Sequence, residues 1–234
     1  MKRRVLIGAA ITLVVVVVLA VGGYYLMNSR TFQLAGRIVD RVDTDAKVVA
    51  LTLDDGPTTK TPEVLKVLAD AQVPATFYLN GRDLAAHPEY GTAIAAAGHE
   101  IGNHTYTHRR MVFVTPGTVA DEVARTDDEI RETGYQGPIT FRPPYGKKLW
   151  TLPKYLSDHD RTTVMWDVEP DSGAAPSAKR IVEQTVAEVR PGSIILLHVT
   201  FGDRANSLAA IPGIVAALKA DGYRFVTVSE LLGR

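Results

Sequence analysis

The sequence predicts an α/β chain, a distorted (β/α) barrel of about seven parallel strands preceded by one N-terminal transmembrane helix. Three observations lead there. From Lys47 onward, short β-branched apolar runs alternate with longer helical patterns. Ionisable residues fall just after several of those runs. A charge-free apolar stretch fills positions 5–27. Alternating strands and helices favour parallel pairing in a closed or nearly closed barrel, with a doubly wound open sheet as the alternative.

The elements follow in chain order. At about 1.5 Å rise per residue, a helix over 5–27 crosses a hydrocarbon core of about 30 Å. Lys2, Arg3 and Arg4 precede it and hold the N-terminus in the cytoplasm, while Tyr24 and Tyr25 suit the far interface. A cleaved signal peptide ending at Val18-Leu19-Ala20 is the competing reading, but the apolar run exceeds the usual core of about 7–15 residues. Residues 1–27 are therefore expected as a cytoplasmic tip and anchor, and residues 28–46, polar and without periodicity, as a linker. Residues 47–234 are expected as one exported catalytic domain. Strands are expected at 47–53, 75–79, 100–103, 138–141, 162–166, 193–198 and 224–228. Helices are expected at 61–71, 88–97, 118–133, 152–158, 178–189 and 207–220. Thr61 before Pro62 starts one helix, and Gly98, Gly134 and Gly222 follow the ends of others.

Composition removes whole classes. With no cysteine, disulfide bracing and lipidation through cysteine are excluded. The net charge of zero combines four basic residues before position 31 with 22 basic and 26 acidic residues after it. That balance lacks the basic footprint of a nucleic-acid binder.

In parallel α/β folds, functional groups gather at the carboxyl ends of the strands. Asp54 and Asp55 end the first strand, and His104 follows the third. Arg142 follows the fourth, Asp167 the fifth, and His198 ends the sixth. The four-residue spacing of His104 and His108 would set both imidazoles on one helical face, able to share a metal ion. Asp55 is the natural third ligand, and two histidines with one carboxylate leave positions open for water and substrate. In Leu53-Asp54-Asp55-Gly56-Pro57, turn chemistry explains Gly56 and Pro57 but not two adjacent carboxylates. A cation relieves their repulsion, with Asp55 binding it and Asp54 near enough to take a proton from activated water.

These segments resemble the polysaccharide deacetylase family, the NodB-homology carbohydrate esterases. Residues 53–57 are similar to its first motif, usually Phe-Asp-Asp-Gly-Pro. His104-Thr105-Tyr106-Thr107-His108 matches the second, Arg142-Pro143-Pro144-Tyr145-Gly146 the third, and Leu196-Leu197-His198 the fifth. The resemblance implies Asp54 as general base, Asp55, His104 and His108 as metal ligands, and His198 as general acid. It also implies Arg142 as the residue orienting Asp54, and the Tyr145 backbone N–H as an oxyanion donor. The fourth motif departs. The family's aspartate-tryptophan ending is replaced by Asp171-Ser172, so Asp171 is expected beside His198, with Asp167 and Glu169 as rivals. Trp166 and Leu196 are expected to form a slot for the acetyl methyl.

The activity implied is metal-dependent hydrolysis of an N-acetyl group on peptidoglycan or a chitin-like glycan by a single-pass membrane protein whose catalytic domain lies outside the cell. O-acetyl esterase and inactive glycan-binding scaffold are the alternatives. The donor set suits zinc, and cobalt, nickel, manganese or iron fit the same ligands.

Overall fold

The computed structural model describes residues 2–173, 176–200 and 202–233. Met1, Ala174, Ala175, Phe201 and Arg234 lie outside the described residues.

The chain opens with α1 (Lys2–Asn28), whose 23-residue stretch Leu6–Asn28 contains an 18-residue window of mean hydropathy 2.7 with no buried residue. Apolar residues surround this helix on every side, so it has no face suited to one-sided packing on a protein core. Then follow β1 (Ile38–Val39), β2 (Val48–Asp54), α2 (Thr61–Ala71), β3 (Thr76–Leu79), α3 (Gly81–Ala86), α4 (Pro88–Ala96), β4 (Glu100–Asn103), α5 (Pro116–Glu132) and α6 (Thr151–Asp158). The remainder is β5 (Thr163–Val164), α7 (Ala178–Glu188), β6 (Ile194–Leu197), α8 (Ala205–Ala220), β7 (Arg224–Val226) and α9 (Val228–Leu231).

The named strands pair in parallel, as expected, and enclose a distorted barrel. The order β4-β3-β2-β6 forms one side, with β7 joined to the start of β2. Single parallel bridges carry the ring onward from Asn103 to Phe141, from Phe141 to Thr163, and from Val168 to Ile195 of β6. β2 is buried along nearly its whole length, as a parallel strand covered on both faces must be. Alternation divides its side chains. Leu51 and Leu53 point outward with Phe77, Leu79, Ile195 and Leu197 into the core beneath the helices. Ala50 packs with Tyr78, Trp166 and Leu196 in a second cluster inside the barrel. Gly102 is required there, because a Cβ would stand 2.5 Å from the Tyr78 ring.

Several expectations changed, among them the strand at 162–166, which shortens to Thr163–Val164. The strand at 138–141 is reduced to bridges at Phe141, since Pro138, Pro143 and Pro144 supply no N–H to a ladder. The strand expected to reach residue 228 stops at Val226, where Thr227 accepts a bond from the Glu230 N–H and starts α9. The segment expected as a linker is partly built into the domain. β1 pairs with β5 through Ile38–Thr163 and Val39–Val164, and the Val42 N–H donates to the Gly192 carbonyl at 3.0 Å. A two-residue strand is too short for alternation to reveal.

Register places the site. Leu53 lies opposite Leu197, so Asp54 and His198 leave the sheet at the same height. Leu79 lies opposite Asn103, which sets Asn80 level with His104. All four positions stand at the carboxyl rim.

Candidate active site

A cleft of about 510 Å³ opens at that rim, lined by Asp54, Asp55, His104, His108, Tyr145, Trp166, Leu196 and His198 among others. Asp54, 3% exposed, receives a 2.7 Å bond from Arg142 Nη1. Arg142 is fully buried, which separates it from a surface ion pair. Its other bonds run to Thr52 Oγ1 at 2.7 Å, the Val164 carbonyl at 3.3 Å and the Met165 carbonyl at 3.0 Å. Its guanidinium lies 4.2 Å from the Tyr78 ring centre. A planar fork held on four oxygens fixes the carboxylate it touches.

Asp55 turns out of the strand with φ 72°, and its Oδ1 stands 3.2 Å from His108 Nε2 and 3.9 Å from His104 Nε2. The two imidazoles do not share a helical face as expected. They sit on a loop in which Thr105 and His108 take φ 67° and 58°, and that left-handed backbone, not helical spacing, turns the rings together at 5.1 Å. The loop is held from behind. Asn103 Oδ1 accepts from the Thr105 N–H, and Glu122 accepts from the Thr107 N–H and hydroxyl at 2.8 and 2.6 Å.

Donor atoms of Asp55, His104 and His108 all lie within 4.8 Å of one another, the span expected around one cation with bonds near 2.0–2.2 Å. His104 Nδ1 is 2.8 Å from the Arg142 carbonyl, which turns Nε2 toward the carboxylates. Burial and the charge of His104 hold the His108 imidazole below its ordinary range, favouring the neutral form that metal binding needs. The residues present therefore fit a divalent ion.

Opposite stands the second pair. Asp171, completely buried, accepts the His198 N–H at 2.7 Å, faces His198 Nδ1 at 3.3 Å, and accepts from Ser207 Oγ at 2.9 Å. Its rivals are occupied elsewhere. Asp167 receives Ser193 Oγ and the Ile194 N–H, while Glu169 receives Trp166 Nε1 and Arg30. Burial alone pushes the His198 imidazole down, but the Asp171 bond and the nearby Asp54 outweigh it, and the pKa rises above the ordinary value. For Asp171, burial pushes upward and the His198 contacts prevail, holding the carboxyl below its usual range.

Tyr145 occupies a left-handed turn (φ 58°, ψ 12°), with its ring 4.7 Å from that of His108. Its N–H makes no hydrogen bond among the described residues. A non-glycine residue in that region costs about 1–3 kcal/mol, a cost often retained where a backbone group must face a ligand. Trp166 and Leu196 both border the cleft, and the side where the family's second tryptophan would stand is bordered by Ser172 and Gly173. Sequence reading missed Arg30, Asn80, Glu122 and Ser207. Asn80 does carry a signal, since it directly follows the strand ending at Leu79, whereas Arg30, Glu122 and Ser207 meet the site only through folding.

This rim joins an Asp–Arg pair, an Asp–His pair and an Asp/His/His cluster, the layout anticipated from the four motifs. A family model described as Polysaccharide deacetylase matches residues 41–164, and the chain belongs to that family. The chain is 35% identical over 214 residues to a peptidoglycan-N-acetylglucosamine deacetylase of Bacillus cereus, covering 88% of this chain and 98% of that protein. It is likewise 35% identical over 198 residues to a chitooligosaccharide deacetylase of Bradyrhizobium sp., covering 78% and 90%. Among solved structures, the Bc1960 peptidoglycan N-acetylglucosamine deacetylase superposes with a TM-score of 0.78 at 32% identity, over 82% of this chain and 91% of that one.

Proposed function

We propose that the chain is a metal-dependent hydrolase removing acetyl groups from an N-acetylated glycan, with peptidoglycan N-acetylglucosamine as its substrate. The carrying observation is the opposition of two carboxylate-held groups, Asp54 on Arg142 and His198 on Asp171, across one cleft that also holds Asp55, His104 and His108. Those last three would hold a divalent ion, zinc by preference, which when bound would supply Lewis-acid activation of water and of the acetyl carbonyl. Asp54, held by Arg142, takes the proton of the attacking water. The Tyr145 N–H donates to the oxygen that gains negative charge. His198, kept protonated by Asp171, gives its proton to the leaving nitrogen as the amide bond breaks. Trp166 and Leu196 receive the methyl group.

The full chain in detergent is expected to release acetate from N-acetylglucosamine oligomers and peptidoglycan strands. Chelation should lower the rate by at least about 100-fold, and added zinc or cobalt should restore it. Absence of acetate release with zinc, cobalt, nickel, manganese and iron alike would remove this reading.

We further infer a single-pass anchor, with the catalytic domain outside the cell. The length and hydropathy of Leu6–Asn28 support it. Intact mass of the protein recovered from membranes should include the whole segment. A mature N-terminus beyond residue 20 would assign a cleaved leader instead.

A further inference from the structure

The cleft has a wall that comes from the chain just outside the apolar helix. Arg30 borders the cleft with Trp166 and Glu169. Its guanidinium carbon lies 4.5 Å from the Trp166 ring centre, and Nη2 donates to Glu169 Oε2 at 2.6 Å. Glu169 Oε2 also accepts Trp166 Nε1 at 2.7 Å, so one carboxylate oxygen ties both partners. The Arg30 side chain is 42% exposed and that of Glu169 17%. Among the described residues, Glu169 is the only hydrogen-bond partner of Arg30, which leaves further guanidinium donors of this cleft-lining, partly exposed side chain without a protein acceptor.

The same stretch is fastened on its membrane side. The Lys148 N–H donates to the Met27 carbonyl at 3.3 Å, Lys148 Nζ donates to the Ser29 carbonyl, and Lys147 Nζ donates to Asn28 Oδ1. These lysines directly follow the turn that carries Tyr145. Asn28 ends α1, and two residues span at most about 7 Å of chain, so the cleft wall stands close to the end of the apolar helix.

We propose that Arg30 is a substrate-binding residue, hydrogen-bonding oxygens of the sugar next to the acetylated one, and that it makes the anchor's exit segment part of the cleft. This rests on the glycan deacetylase reading above. The chemistry selects an uncharged partner. Glu169 cancels the Arg30 charge, so the wall offers oriented N–H groups suited to hydroxyl and carbonyl oxygens rather than a net positive field. It also selects length, because a donor beside the reacting sugar rewards an oligomer over a monosaccharide unit. The glycan so bound lies at the outer membrane face.

The test uses the full chain in detergent with chitin tetramer, measuring kcat and KM separately. Arg30→Ala and Arg30→Met, the second retaining an aliphatic stem over Trp166, should each raise KM about tenfold, with kcat within about twofold and the melting midpoint unchanged. The double variant R30A/E169Q should show the same KM rise, since donors are lost whether or not Glu169 keeps its charge. A KM within twofold of wild type in both folded single variants would overturn the proposal. So would a wild-type KM in the double variant, which would assign the effect to a stranded Glu169 carboxylate. Both results presuppose an active wild type; an inactive wild type refutes instead the deacetylase reading.

Discussion

Asp54→Asn is expected to lower kcat by about 10²–10⁴, the usual worth of a positioned proton acceptor. Asparagine keeps an oxygen for Arg142 Nη1 but cannot take the proton from attacking water. The same change also acts on stability. Arg142 is fully buried, and Asp54 is its ion-pair partner among the described residues. Stranding a buried charge costs about 3–5 kcal/mol. Arg142 retains Thr52 Oγ1 and two carbonyl acceptors, which places the cost near the lower end, about 3 kcal/mol. For a chain of this size that lowers the melting midpoint by roughly 6–12 °C. Steady-state kinetics and thermal denaturation on one preparation separate the two effects, because a stable but inactive variant assigns Asp54 to chemistry alone. Wild-type kcat in Asp54→Asn would exclude it as the base.

That double role explains why the central site is legible in sequence. Asp54 ends a strand, Asp55, His104 and His198 directly follow strands, Arg142 follows the bridged residue Phe141, and a short run of neighbours fixes each one's identity. Their meeting follows from strand register, as in Leu53 opposite Leu197 and Leu79 opposite Asn103. Residues that hold the site from a distance are not legible in this way. Arg30 reaches Glu169 across 139 positions, and Ser207 reaches Asp171 across 36. Nothing in the local pattern of either stretch announces the contact. The helical arrangement expected for His104 and His108 failed for a related reason. Four-residue spacing is compatible with a helix and equally with a loop, and only the left-handed backbone at Thr105 and His108 decides. The domain start at residue 47 falls too late as well, since a chain cut there would lose β1 and the Arg30 wall together.

Asp171→Asn is expected to move the alkaline limb of activity to lower pH and to reduce the rate at pH 8 by about tenfold to a hundredfold. Burial of His198 favours the neutral ring, whereas the Asp171 bond and the charge of Asp54 favour the charged one and prevail. A general acid must carry its proton, so the wild-type enzyme keeps this function above the ordinary histidine value of about 6.5 and loses it as pH rises through the raised value. Without the Asp171 charge, burial has less opposition and the imidazole loses its proton earlier. A bound divalent ion adds positive charge in both proteins, so the difference between their profiles keeps its sign. Stability follows the same linkage. A histidine whose folded pKa is raised contributes stability that is fully present below about 6.5 and disappears as pH passes the folded value. Wild type should therefore lose part of its advantage over Asp171→Asn as pH rises from about 6.5 through the raised value of His198, measured as the difference in melting midpoints. Parallel pH–rate profiles for the two proteins would separate His198 from the proton donor and return the role to another group at the rim.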